Sequence, residues 1–128
     1  MSASTLVASA ARIAELSAGA YTIPTDGPEA DGTLAWDRTT LVVVEARWAD
    51  VVGIGWTYGS PACADVIHDL LADAVLGRSA FDVAGCFDAM VKAIRNVGRS
   101  GIGGQAISAV DVALWDLKAR ILDAPLHH

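Results

Sequence analysis

Carboxylate side chains recur at a regular spacing in one predicted helix. Asp65, Asp69 and Asp73 stand at i, i+4 and i+8, which places all three on one helix face. Mg²⁺ usually needs carboxylates that are gathered around one point. No other segment supplies a ligand to these three, and a solvated acidic face opposite an apolar one explains their spacing. We therefore expect no metal site in this chain.

A histidine and two cysteines are the remaining side chains that could carry acid, base or nucleophilic chemistry. His68 lies beside the acidic face, but the sequence places no nucleophile or acid next to it, so a surface or half-buried helical histidine is favoured. Cys63 and Cys86 form no C-x-x-C pair and have no histidine at zinc-ligand spacing. We expect two buried thiols in a reducing cytoplasm, and no catalytic residue.

The segment "GIGGQA", residues 101–106, fits the G-x-G-x-x-G/A dinucleotide fingerprint by its letters. The fingerprint requires a strand in front of the glycines, whereas the preceding "MVKAIRNVG" is predicted to be helical. A flexible glycine link between two helices is the favoured interpretation.

Aromatic side chains alternate at the end of a predicted strand. Trp56 and Tyr58 are two residues apart and therefore share one face of the strand. Packing in the core or on the sheet face explains Trp56. For Tyr58, which stands next to a loop, packing and contact with a ligand through its hydroxyl are equally supported.

The elements that position these residues are three strands and then three helices. A first strand over 12–23 is predicted to stop at Pro24, and β-branched runs over 39–48 and 51–58 predict a hairpin that turns at Ala49-Asp50. After the hairpin, the apolar residues recur at the spacing that is typical of helices. Three helices are predicted: from Ser60-Pro61 to Gly77, from the cap Asp82 to Gly98, and over about 104–122. This order predicts an α+β fold with helices packed on a three-stranded antiparallel sheet.

One connection is unusually long for a compact domain. Residues 24–38, "PTDGPEADGTLAWDR", join the first two predicted strands through 15 residues with no periodic pattern. Connections of that length tend to be lids or binding loops. Glu29, Asp31 and Trp36 give this one polar groups and a large aromatic surface.

The composition indicates a domain that needs a partner. Of the 128 residues 53% are hydrophobic and 19% charged, with a net charge of −6, which argues against nucleic acid as a partner. No apolar run approaches the roughly 20 residues of a membrane span, and the first residues do not have the pattern of a signal peptide. We expect a cytoplasmic domain with a large contact surface and a homo-oligomeric state.

The third predicted helix concentrates this apolar surface. Residues 106–119, "AISAVDVALWDLKA", are apolar on nearly every side of the helix. The helix carries two carboxylates, Asp111 and Asp116. They are five residues apart and point to different faces, so they do not form an acid/base pair. Structural hydrogen bonds or ion pairs are expected of both. Val112, Trp115 and Ala119 should be exposed, or covered by a second copy, unless a further domain packs on them.

This helix resembles the signature helix of the mandelate racemase and muconate lactonizing enzyme group of the enolase superfamily. The resemblance extends over the strands, the long connection and the Gly-Trp-Thr-Tyr hairpin end, roughly residues 10–126. The matching helix residues are Ala109, Asp111, Ala113, Trp115, Asp116, Pro125 and Leu126.

The resemblance implies a capping domain over a (β/α) barrel that this chain does not contain. In such enzymes barrel carboxylates hold Mg²⁺, and a barrel Lys or His removes the proton α to a substrate carboxylate. The resemblance therefore implies an acid-sugar dehydratase or racemase whose catalytic residues and Mg²⁺ ligands lie outside these 128 residues. It implies a flexible N-terminus over 1–10, a capping domain over 11–126 and the start of a link over 127–128.

The resemblance implies substrate contacts only for residues of the part of the capping domain that closes over the barrel, called the lid. These candidates are Tyr58, Trp56, Trp36, Asp31 and Glu29, facing a carboxylate, acid-sugar substrate. Two alternatives stay open: a free-standing, self-associating binding module without catalysis, and a stand-alone enzyme with its site in residues 24–38.

Overall fold

The computed structural model describes residues 11–127, which form a three-stranded antiparallel sheet followed by three helices. The strands are β1 (Glu15–Ala30), β2 (Ala35–Trp48) and β3 (Val51–Tyr58), in the spatial order β1-β2-β3. The helices are α1 over 62–75, α2 (Val83–Ala93) and α3 (Ile102–Ile121). The predicted α+β fold is confirmed; the prediction for residues 1–10 falls outside the described residues.

The first two strands are longer than predicted, because Pro24 does not end β1. It pairs with Arg38, and after an irregularity between Pro24 and Glu29 the pairing resumes with Glu29 opposite Trp36. A proline lacks the N–H that a ladder uses, but an edge strand tolerates it, and β1 is an edge strand. The prediction of a patternless 15-residue connection was therefore wrong: most of 24–38 is a two-stranded ribbon, here called the hairpin arm.

The first helix contains a wider turn that the sequence did not reveal. Ala62–Val66 and Ala72–Val75 are α-helical, and Ile67–Leu71 between them is a π turn. Its fully buried residues recur every fourth position, and at 3.6 residues per turn each such step drifts by about 40°. A π turn takes up that drift. The residues that it keeps on the core side are Cys63, Ile67, Leu71 and Val75.

Capping explains where the second helix begins. The Asp82 carboxylate accepts the backbone N–H of Gly85 at 3.0 Å, as predicted for an N-cap. The helix ends at Ala93, so the prediction that it extends to Gly98 was wrong. Val97 lies beyond the helix and is exposed.

The third helix begins two residues before its predicted start. Gly103 and Gly104 belong to its first turn and are not a flexible link. Gly103 packs against the backbone carbonyl of Gly98, where a Cβ would not fit. The glycines therefore let the α2–α3 connection lie against the helix.

The core lies between the helices and one face of the sheet, and its tightest contact joins β3 to α3. Inward-facing Gly55 packs on the backbone of Ala109 and Ala113, and inward-facing Gly53 on that of Ala113 and Leu117. A Cβ on either glycine would overlap those backbone atoms. Because only glycine fits, α3 lies directly against this strand.

Side chains from the helices occupy the free edges of the sheet. On the β3 edge, an Asp116 carboxylate oxygen accepts the N–H of Ile54 at 2.8 Å and the Nε–H of Arg120 at 2.7 Å. On the β1 edge, His68 Nε2 lies 3.0 Å from the carbonyl oxygen of Ala18. These contacts occupy backbone groups that could otherwise pair with another strand.

Within residues 11–127 there is no helix of sufficient length and hydropathy to cross a membrane.

Replacing Gly55 with alanine should destabilise the fold, because the new Cβ would force α3 away from β3. We expect Gly55→Ala to lower the free energy of unfolding by about 1–3 kcal/mol, as measured by urea denaturation. Gly27→Ala is the matched control, since a side chain there meets open space, and its stability should be unchanged or slightly higher. If both substitutions lowered the free energy of unfolding equally, the direct contact between β3 and α3 at Gly55 would be contradicted.

Candidate functional site

Tyr58 and Trp56 lie on the outer face of the sheet, which is the side opposite the helices. Their side chains are 58% and 52% exposed, and their rings meet edge to face with centroids 5.3 Å apart. Inward-facing Gly55 forces Trp56 outward, because successive side chains alternate between faces. Trp56 is therefore not a core residue but packs on the sheet face against Tyr58.

Tyr58 stands where the hairpin arm leaves the sheet. Leu41 pairs with Tyr21 on one side and with Tyr58 on the other. Beyond this row β3 ends and the ribbon continues alone. The N–H of Gly59 donates to the carbonyl of Thr40 at 3.2 Å, which ties the turn after Tyr58 to the base of the arm. Tyr21 was missed as a neighbour of this site, because the cross-strand register is not visible in the sequence.

The arm holds Trp36 and Glu29 as directly opposed partners. The indole Nε1–H of Trp36 donates to a carboxylate oxygen of Glu29 at 2.8 Å. This bond fixes the ring beside an open cleft of about 300 Å³ lined by Pro28, Ala35, Trp36 and Asp37. The pair offers a ligand an aromatic surface and a second carboxylate oxygen.

Asp31 organises the tip of the arm. One carboxylate oxygen accepts the backbone N–H groups of Thr33 and Leu34 at 2.7 and 2.8 Å, and the Thr33 hydroxyl at 2.8 Å. The backbone bonds, that of Thr33 first, lower the pKa of the Asp31 carboxyl from its ordinary value. Asp31 therefore acts first as a turn residue. Of the predicted site residues, Glu29, Asp31 and Trp36 lie on the hairpin arm. Tyr58 and Trp56 lie together at the base of the arm.

The turn after Tyr58 rests on the first turn of α3. A Cβ on Gly59 would lie 2.8 Å from Oε1 of Gln105, and that oxygen is 3.7 Å from Sγ of Cys63. Burial raises the pKa of the Cys63 thiol, and likewise that of Cys86. Both cysteines are free and buried, as predicted.

The described residues do not fit a Mg²⁺ site. Asp65, Asp69 and Asp73 are exposed along α1, and no group of three or more His, Cys, Asp or Glu side chains within residues 11–127 could hold a metal ion. Asp111 on α3 is half-buried, and desolvation raises the pKa of its carboxyl. Asp116 makes the structural bonds expected of it.

A second surface runs along the side of α3 that faces away from the sheet. Val112 and Trp115 are 40% and 43% exposed, Leu122 is exposed and Ala119 half-buried; these four residues are called the α3 stripe. It continues into a cleft of about 310 Å³ lined by Trp115, Lys118, Ala119, Leu122, Ala124, Pro125 and Leu126. Nζ of Lys118 lies 4.9 Å from the centroid of the Trp115 ring. The expected exposure is confirmed for Val112 and Trp115.

Comparisons with known proteins agree on one family. The model of the mandelate racemase / muconate lactonizing enzyme N-terminal domain matches residues 24–128. An L-rhamnonate dehydratase from Saccharopolyspora erythraea is 39% identical over 89 residues, which are 70% of this chain and 23% of that protein.

Solved structures show the same fold. A mandelate racemase/muconate lactonizing enzyme-like protein from Rubrobacter xylanophilus superposes with a TM-score of 0.88 and 48% identity, over 90% of this chain and 32% of that one. An L-talarate/galactarate dehydratase from Salmonella typhimurium LT2, liganded with Mg and L-lyxarohydroxamate, superposes with a TM-score of 0.77 and 27% identity. The match covers 98% of this chain and 34% of that one. The chain thus spans about a quarter of the length of the L-rhamnonate dehydratase and about a third of the length of the two solved structures.

Replacing Asp31 should loosen the tip of the arm without unfolding the domain. In Asp31→Ala the N–H groups of Thr33 and Leu34 lose their shared acceptor, so we expect faster amide hydrogen exchange at both. Asp26→Ala, an exposed position on the same arm, is the control and should leave both rates unchanged. Unaltered exchange in Asp31→Ala would contradict the turn role.

Proposed function

The chain belongs to the mandelate racemase / muconate lactonizing enzyme N-terminal domain family of the enolase superfamily, and we propose that it caps the barrel of an acid-sugar dehydratase. In this role it selects substrate and excludes water, while the barrel carries the reacting groups. The observation that carries the proposal is the combination of this fold with a ribbon whose base presents Tyr58. A racemase or cycloisomerase would use the same cap, since the barrel decides between these reactions.

The α3 stripe is the surface that we assign to the barrel. Val112, Trp115 and Leu122 are apolar and exposed on the side of α3 away from the sheet, and the adjoining cleft is mainly apolar apart from Lys118. Burial of such a stripe stabilises an interface by roughly 25 cal/mol per Å² of apolar surface. A barrel packed here would leave the hairpin arm and Tyr58 free to contact substrate.

Tyr58 and the arm supply the proposed substrate contacts. The Tyr58 phenol can donate or accept a hydrogen bond, and its ring is held by Trp56. The Glu29 carboxylate keeps one oxygen beyond its bond to Trp36. Such groups suit a ligand rich in hydroxyls, which supports an acid sugar, the class named in the dehydratases to which the chain is similar.

The metal and the catalytic base are assigned to the barrel. Because the described residues do not fit a Mg²⁺ site, no step of the reaction is derived from this chain. Its proposed contribution is closure: a lid that excludes water strengthens electrostatic interactions around the reacting groups. On its own, the 128-residue chain is expected to be inactive.

A domain exchange tests this function. We would replace the corresponding domain of the Rubrobacter xylanophilus protein with this chain and follow Mg²⁺-dependent α-proton exchange on a panel of acid sugars. The chimera should catalyse exchange on substrates within the panel, and Tyr58→Phe in the chimera should lower kcat/KM about tenfold, equivalent to about 1.4 kcal/mol. Asp65→Asn, at an exposed position on α1, is the control and should change it little.

Two results would contradict the proposal. One is a folded but inactive chimera beside an active parent protein on the same panel. The other is α-proton exchange catalysed by the isolated 128-residue chain, which would favour a stand-alone enzyme. An inactive chimera whose cap self-associates would favour the free-standing binding module.

A further inference from the structure

We propose that Gln105 is a positioning residue, which holds the turn after Tyr58 against the first turn of α3 and so fixes the place of the Tyr58 hydroxyl. The part that concerns substrate rests on the proposed function, since it takes Tyr58 as a substrate contact. The inference deepens that function, because the helix assigned to the barrel then also sets the residue assigned to the substrate.

The turn over 59–61 connects β3 to α1, and its backbone hydrogen bonds run to β2 and to α1. The N–H of Gly59 donates to the carbonyl of Thr40 at 3.2 Å, and the carbonyl of Ser60 accepts the N–H of Cys63 at 2.9 Å. Within the described part of the chain, the backbone of this turn makes no hydrogen bond to α3. Side chains must therefore set the distance between the turn and that helix.

The carboxamide of Gln105 makes the contact with α3 that the backbone of the turn lacks. Gln105 belongs to the first turn of α3 and is half-buried. A Cβ on Gly59 would lie 2.8 Å from Oε1 of Gln105, closer than carbon and oxygen atoms pack, and 3.3 Å from Sγ of Cys63. Gly59 therefore rests directly on the carboxamide, with no side chain of its own between the turn and the helix.

A buried thiol keeps the carboxamide turned towards Gly59. Sγ of Cys63 lies 3.7 Å from Oε1 of Gln105 and 3.8 Å from the carbonyl oxygen of Ile102. Burial raises the pKa of the Cys63 thiol, so at neutral pH the sulfur carries its proton and can donate to these oxygens. A thiol is a weak donor, but a glutamine without such a bond is free to sample other rotamers.

The position of Tyr58 follows from that of the turn, because Tyr58 is the last residue of β3 and directly precedes Gly59. Its hydroxyl is at the far end of a long side chain, so a small change in backbone direction at the turn displaces it further. Misplacement of a substrate contact by about 1 Å can lower a rate by about 100-fold. Gln105 touches no reacting atom in this arrangement and acts through Tyr58.

Amide hydrogen exchange and NMR on the 128-residue chain test the hold on the turn. Gln105→Met keeps the length and helix propensity of the side chain but removes its acceptor, so exchange of the Gly59 N–H should rise at least about fivefold and the Tyr58 ring signals should shift. Gln105→Glu restores an acceptor oxygen and should return both towards wild type. Ser108→Ala, at an exposed position one turn further along α3, is the control and should change neither. Wild-type exchange and ring signals in a folded Gln105→Met chain, or a Gln105→Glu chain that behaves like Gln105→Met, overturn the proposal.

Steady-state kinetics of the domain-exchange chimera test the consequence for Tyr58. Gln105→Met should lower kcat/KM about fivefold where Tyr58 is present but change it less than about twofold in a Tyr58→Phe background, because the hydroxyl that it positions is then absent. A purely structural role would give equal losses in both backgrounds, and that result overturns the positioning role. If the chimera is inactive, the proposed function alone fails, and the exchange rates and ring signals still decide whether Gln105 holds the turn.

Discussion

The direct contact between β3 and α3 is the constraint on which the rest of the domain depends. Gly53 and Gly55 place no side chain between strand and helix, and Ala109 and Ala113 present a narrow helix surface to them. Because Gly53 and Gly55 are inner positions of β3, the large side chains between and after them, Ile54, Trp56 and Tyr58, point outward. The same contact brings Asp116 within hydrogen-bond distance of Ile54 and so occupies the edge of the sheet.

This one contact therefore defines two surfaces with different chemistry. Outward from β3 lie the aromatic rings of Trp56 and Tyr58, beside the base of the hairpin arm. Outward from α3 lie Val112 and Trp115. A small domain with 53% hydrophobic residues exposes both, since a three-stranded sheet and three helices enclose only the layer between them. The proposed function assigns the α3 stripe to the barrel. It assigns Tyr58 and the hairpin arm, at the rim of the sheet's outer face, to the substrate.

Local signals explain what could be predicted from the sequence. The alternation over 51–58 and the Asp82 cap are set by residues close in the chain, so β3 and the start of α2 were predicted correctly. Pro24 was misread because whether a proline ends a strand depends on which strand lies beside it. The orientation of Trp56 likewise depends on the packing of Gly55 against α3, a contact between residues more than 50 positions apart. The candidate residues were named from the sequence and the resemblance, but their pairings, Trp36 with Glu29 and Asp31 with Thr33, required the structure.

The central claim is that α3 presents its exposed stripe to a barrel, and an NMR titration tests it most directly. The separately expressed barrel of the Rubrobacter xylanophilus protein would be added to the isotope-labelled 128-residue chain. The account predicts that the Val112 methyl and Trp115 indole signals shift on addition, whereas the Ile54 methyl signals stay unchanged. Shifts confined to Ile54 and its neighbours on the sheet, or no shifts at all, would contradict the account.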